Sequence, residues 1–118
     1  MTLKKPFRTP EQVAQDHITA VLAGDPKQMA DDYSNHAVLH RGEDIHNGIE
    51  EIRKYFQTVP ERLGDSRIIF DKLTVEGSKA TFYWRIIDEV TIASGTDYLT
   101  IENGEIIHQV VQLNSSDF

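Results

Sequence analysis

The sequence predicts a single α+β domain in which a curved, mostly antiparallel sheet wraps over helices, and three observations carry that expectation. Two helix caps, each followed by proline, stand in the first half of the chain. Strand-forming runs fill nearly everything after Gly64. Between the last two runs lies Asn103-Gly104, the pair that most readily takes the positive φ angles of a two-residue hairpin turn. At 118 residues the chain reads as one domain, residues 1–118, with no internal repeat or linker.

In chain order, Thr9 caps a helix over residues 10–23. Pro10 takes the first helical position, where its missing N–H costs nothing, and Gln12 closes a capping box. Gly24 sits at the C-terminal cap. At about 100° per residue, Val13, Ala14, Ile18, Val21 and Leu22 share one apolar arc, and His17 falls inside it. Asp25-Pro26-Lys27-Gln28 repeats the cap-and-proline pattern, so a second helix is expected over residues 26–33. A brief strand follows at 37–41, then a polar loop containing Gly42. Asn47-Gly48 opens a third helix, 48–59, with Ile49, Ile52, Phe56 and Val59 at helical spacing and Pro60 as its end. Strands are then expected at 67–75, 79–90, 96–102 and 105–113.

The run Phe82-Tyr83-Trp84-Arg85-Ile86-Ile87 is apolar on both alternating sets, so both faces of its strand need cover. Helices can serve only one face of so small a domain. The other, assigned to Phe82, Trp84 and Ile86 on the convex side, is expected to pack on a second copy as a homodimer.

Composition removes several function classes. A net charge of −7 repels nucleic acid and anionic lipid. The absence of cysteine excludes disulfides, thiolate nucleophiles and cysteine-ligated metals. No apolar run approaches the roughly 18 residues of a membrane helix, and Met1 to Arg8 lacks a signal-peptide core, so a soluble cytoplasmic protein is expected. Of the five histidines, His36 and His40 lie on a strand, where four-residue spacing separates them by about 13 Å. No metal and no cofactor are expected.

Several segments resemble the nuclear-transport-factor-two-like superfamily, and within it the SnoaL-like and ketosteroid-isomerase-like branch. They are Val21-Leu22-Ala23-Gly24-Asp25 between two helices, Tyr33 to His40 entering a strand, Gly48 to Phe56 as the third helix, and Gly95 to Ile106 as the late hairpin. The resemblance implies a cone of cystatin-like fold, a bent sheet closing around three helices to leave an apolar pocket, with the convex face commonly dimeric. It also implies roles. Asp97 matches the aspartic acid that donates a hydrogen bond to a developing oxyanion, and His17 matches its partner donor. Arg41 stands where those isomerases place the aspartate that moves the proton. Limonene epoxide hydrolases of the same fold carry an Arg-x-Asp pair, of which Arg85-Ile86-Ile87 has only the arginine.

These readings name Asp97 and His17 as candidate catalytic groups, one a buried acid and the other an imidazole that changes charge near neutral pH. Arg41 and Arg85 would orient a substrate through their paired donors. Tyr55, Phe56, Tyr83, Leu99 and Val111 would line its pocket. The expected function is acid–base chemistry on a small hydrophobic ligand bearing a carbonyl, enol or epoxide. The alternative is a non-catalytic ligand-binding or protein-interaction domain of the same fold.

Overall fold

The computed structural model describes residues 8–114. Their elements are α1 (Pro10–Ala23), α2 (Pro26–Asp31), β1 (Tyr33–Arg41), β2 (Asp44–Asn47), α3 (Gly48–Gln57), α4 (Val59–Leu63), β3 (Arg67–Glu76), β4 (Lys79–Asp88), β5 (Val90–Glu102) and β6 (Glu105–Leu113). The strands form one mixed sheet in the order β2-β1-β6-β5-β4-β3. Among the described residues only β1 and β6 pair in parallel. Register shifts interrupt β1–β6, β3–β4, β4–β5 and β5–β6, and such irregularities are what bend strands into a curved sheet.

Local chemistry explains the elements that match. Thr9 and Gln12 make both bonds of the capping box, and Asp25 accepts from the backbone N–H groups of Lys27 and Gln28. Asn103 and Gly104 take φ values of 54° and 76°, the two positive angles the final hairpin requires.

Other boundaries differ for physical reasons. The second helix stops at Asp31, and Tyr33 opens β1 instead. Residues 44–47, expected as loop, fold back on β1 as β2 through a two-residue connection led by Gly42 at φ 58°. The third helix ends at Gln57, and Pro60 sits in the first turn of the short α4, since proline starts helices as readily as it ends them. The β4–β5 turn falls at Glu89, with φ 67°, so β5 begins at Val90 rather than near residue 96. Ser94-Gly95 looks like loop in sequence but lies inside β5. Gly95 opposes Trp84, and a Cβ there would lie 2.3 Å from the indole Cζ2.

The faces of β4 are the reverse of the expectation. Phe82, Trp84 and Ile86 are 2%, 5% and 1% exposed and belong to the core under the helices, so they cannot form the surface of a homodimer. Tyr83 and Arg85 take the outer face. Both sets are apolar enough to be buried, so alternation alone could not choose between them. Packing against Val13, Ala14, Met29, Ile52 and Phe56 of the helices does. Among the described residues no helix is long and apolar enough to cross a membrane.

Candidate active site

Between the helices and the concave sheet lies a cavity of about 60 Å³. Every element except β2 contributes to its wall. Phe56, Val59, Ile68, Phe70, Phe82 and Val111 supply apolar surface, and the polar groups are His17, Arg41, Tyr55, Trp84, Asp97 and Gln109. A more open hollow of about 520 Å³ shares Arg41 and Tyr55 with it.

Asp97 is the one carboxylate among the described residues lining the inner cavity. Strand register places it beside Phe82 on β4 and Val111 on β6. Trp84 Nε1 donates to its Oδ1 at 2.8 Å and Gln109 Nε2 to its Oδ2 at 2.6 Å. Burial pushes its carboxyl up to about 6, against the pull of the Trp84 bond, the His17 charge, the Gln109 bond and the Arg41 charge. Such a group exchanges its proton near neutral pH, as a general acid or base must.

A chain of polar contacts continues from Gln109. Its Oε1 accepts from the Tyr33 hydroxyl, whose oxygen lies 3.4 Å from His17 Nε2. On the other side of the ring, His17 Nδ1 makes no hydrogen bond and stands 3.8 Å from Asp32 Oδ2. Asp32 Oδ1 accepts from Arg8 Nη1 at 2.8 Å, and Arg8 also reaches Asp16 and the Gly104 carbonyl. Burial alone would raise Asp32, but His17 and Arg8 outweigh it and hold the carboxyl below its ordinary value. Burial, with the nearby Asp97 charge, drives the Tyr33 phenol well above its ordinary value, so it stays protonated.

Counting protons along this chain shows what it can do. Tyr33 has one hydroxyl proton and gives it to Gln109, so the contact with His17 must run from an Nε2–H to the phenol oxygen. A second ring proton on Nδ1 would then face Asp32. The reverse direction is equally complete: protonated Asp97 donates to the turned amide of Gln109, the amide N–H to Tyr33, and Tyr33 to a bare His17 Nε2, with Nδ1–H facing Asp32. The two arrangements differ by one proton moved from His17 to Asp97. The network therefore couples an acid and a base that do not touch.

Of the residues expected at the site, Asp97, His17, Arg41, Tyr55, Phe56 and Val111 line the cavity together. Three do not. Arg85 is on the outer face and donates to Asp71 through Nε at 2.7 Å and Nη2 at 2.9 Å. Tyr83 shares that face and is 41% exposed. Leu99 is buried in the core without forming part of the wall. Conversely, Trp84, Gln109, Tyr33, Asp32 and Arg8 were not legible as site residues. Gln109 carried a signal, a polar residue in the inward register of Val111 on β6. Asp32 and Arg8 carried none, because their pairing depends on tertiary closure. His40 points away from the cavity and meets His108 with ring centroids 4.9 Å apart. Among the described residues no group of three or more His, Asp or Glu converges as metal ligands would.

A family model described as a SnoaL-like domain matches residues 14–109. No curated protein matches the sequence. Solved structures share the fold at low identity. A candidate polyketide cyclase from Sinorhizobium meliloti is 17% identical, with a TM-score of 0.72 over 86% of this chain and 94% of that one. A candidate isomerase of the SnoaL-like family from Agrobacterium tumefaciens is 16% identical, with a TM-score of 0.71 over 88% and 99%. A nuclear-transport-factor-two-like protein of unknown function from Cytophaga hutchinsonii is 14% identical, with a TM-score of 0.74 over 95% of each chain.

Proposed function

We propose that this chain, which belongs to the SnoaL-like domain family of the nuclear-transport-factor-two-like superfamily, is an enzyme that moves a proton on a small, largely apolar molecule bearing a carbonyl, enol or epoxide. The observation that carries the reading is Asp97: a carboxylate buried in an apolar cavity, held by two neutral N–H donors and linked to His17 through Gln109 and Tyr33. Because both of its oxygens accept from the protein, Asp97 suits the role of proton acceptor better than the oxyanion donor its position implies by resemblance. Arg41, lining the same cavity, would stabilise the enolate or alkoxide that forms. Asp97 would hold the abstracted proton and return it to the substrate itself, while His17, at the far end of the Gln109–Tyr33 chain, favours the carboxylate through its charge. The isomerase and cyclase descriptions of the similar structures fit chemistry of this class.

The rival reading, a binding domain without turnover, is favoured by the small size of the inner cavity, about 60 Å³. Hydrogen–deuterium exchange into a panel of small ketones, β-keto acids and 1,3-diketones separates the two without a known substrate. Wild type should accelerate exchange of α-protons on at least one member, and Asp97→Asn should lower that rate about tenfold or more. Equal rates for wild type and variant would remove the proposed reaction.

A further inference from the structure

The inner cavity opens beside a second space of different chemistry. Arg41 and Tyr55 belong to both, and the outer hollow adds Lys54 and Arg62 among its walls. Among the described residues, three cations, Arg41, Lys54 and Arg62, face this hollow together with two acids, Asp44 and Glu51, in a chain whose net charge is −7. Glu51 Oε1 accepts from the Asn47 N–H at 3.0 Å at the start of α3. The Arg62 guanidinium lies 5.1 Å above the Tyr55 ring centroid, which fixes it over the junction between the two spaces. The sizes are also unequal: about 60 Å³ inside, about 520 Å³ outside. The inner space is the smaller of the two, so a ligand longer than it can hold extends into the cationic part.

We propose that the outer hollow binds a carboxylate, so that the substrate is a short amphiphilic acid whose apolar end enters the inner cavity while Arg41, Arg62 and Lys54 hold its anionic end. This rests on the reading of the Asp97 cavity as the place where the reacting group sits. Guanidinium groups suit the task because their paired donors match a carboxylate in plane. The field of Arg41 and Arg62 already extends inward: both counter the burial that raises the Tyr55 phenol, and Arg41 counters the same effect at Asp97. An acid docked here would bring its reacting carbon within reach of the inner cavity while its charge stays in the outer one.

The probes are octanoate and octanamide, identical in length and differing in charge, titrated calorimetrically against the full chain at low and at moderate salt. Octanoate should bind about tenfold tighter than octanamide, the worth of one charge-assisted contact, and the preference should shrink as salt rises. Arg62→Gln and Arg41→Gln should each reduce the preference to about threefold or less. Lys54 is exposed, so Lys54→Gln retains the fold whatever happens to the arginine variants, and it should weaken octanoate and leave octanamide unchanged. Equal affinity for the two probes, or a carboxylate preference that survives both Arg62→Gln and Lys54→Gln, overturns the proposal. Asp97→Asn must keep the preference. A preserved preference alongside failed α-proton exchange would retire the catalytic reading and leave the carboxylate site standing, and the opposite pair of results would do the reverse.

Discussion

Asp71 and Asp97 are two carboxylates on strands that flank β4, and each accepts two N–H bonds of nearly the same length. Asp71 takes 2.7 and 2.9 Å bonds from Arg85, and Asp97 takes 2.8 and 2.6 Å bonds from Trp84 and Gln109. Their acidities nevertheless move in opposite directions. The charged hydrogen bond from Arg85 lowers Asp71, which sits in water, whereas burial lifts Asp97 to about 6 against donors that carry no charge. Counting hydrogen bonds would therefore rank the two sites as equals. What separates them is which face of the sheet their donors stand on, and so whether solvent can screen the charge.

The harshest way to break the contrast is Trp84→Glu. An exposed stripe would tolerate it, but Trp84 is 5% exposed and lines the cavity. Losing a buried tryptophan costs about 3–5 kcal/mol, and a buried charge adds to that. Circular dichroism should show an unfolded or insoluble protein; a folded monomer with a melting temperature near wild type would contradict the assignment of faces.

Asp97→Asn sharpens the contrast through pH. Because the folded carboxyl is raised to about 6 from 3.8, the folded protein keeps a proton that the unfolded chain has already released. The stability this provides is full below about pH 4 and is lost as pH rises through about 6. At about 1.4 kcal/mol per pH unit the loss is roughly 3 kcal/mol. Denaturant titrations of wild type should fall in that window, and those of Asp97→Asn should not, since its amide can donate to Gln109 as the protonated acid does. Asp32 works the other way. Its lowered carboxyl stabilises the fold above its unfolded range, and that contribution disappears only in stronger acid, so the two windows separate. A wild-type curve flat between pH 4 and 8 would refute the buried, raised acid.

The smallest effect belongs to the outer face. Arg85→Gln removes both donors of Asp71, but the pair is solvent-exposed, so the melting temperature should stay within experimental error, as should octanoate binding. A clear loss of octanoate affinity would place Arg85 back among the ligand-binding residues.

Residues whose role is set locally were legible in the sequence. Thr9, Pro10 and Gln12 specify a helix start within four residues, and Asn103-Gly104 specifies its hairpin by φ alone. His17 on the apolar arc of α1 and Asp97 on β5 were found by periodicity and resemblance, and both line the cavity. Choices made by tertiary contact were hidden. Phe82 and Tyr83 compete equally for the interior by composition, so the orientation of β4 was misread and Arg85 followed it to the wrong side. Gly95 looked like a loop residue because its reason for being there is the indole across the sheet. The Gln109, Tyr33 and Asp32 chain joins β6, β1 and the end of α2, elements that no local pattern brings together.

The parallel pairing of β1 with β6 has a consequence for the order of assembly. Leu39 meets Gln109 across that seam, so β1, which pairs with β2 on one side, meets its neighbour on the other side only after β3 to β5 have been made. A growing chain holding α1 through β5 would present an apolar, half-lined trough with Asp97 short of one of its two donors. Long-range closure of this kind slows folding, and the final step both seals the sheet and completes the acid–base network. A nascent chain arrested before β6 should therefore be sticky, and gain solubility and a complete Asp97 network in a single event.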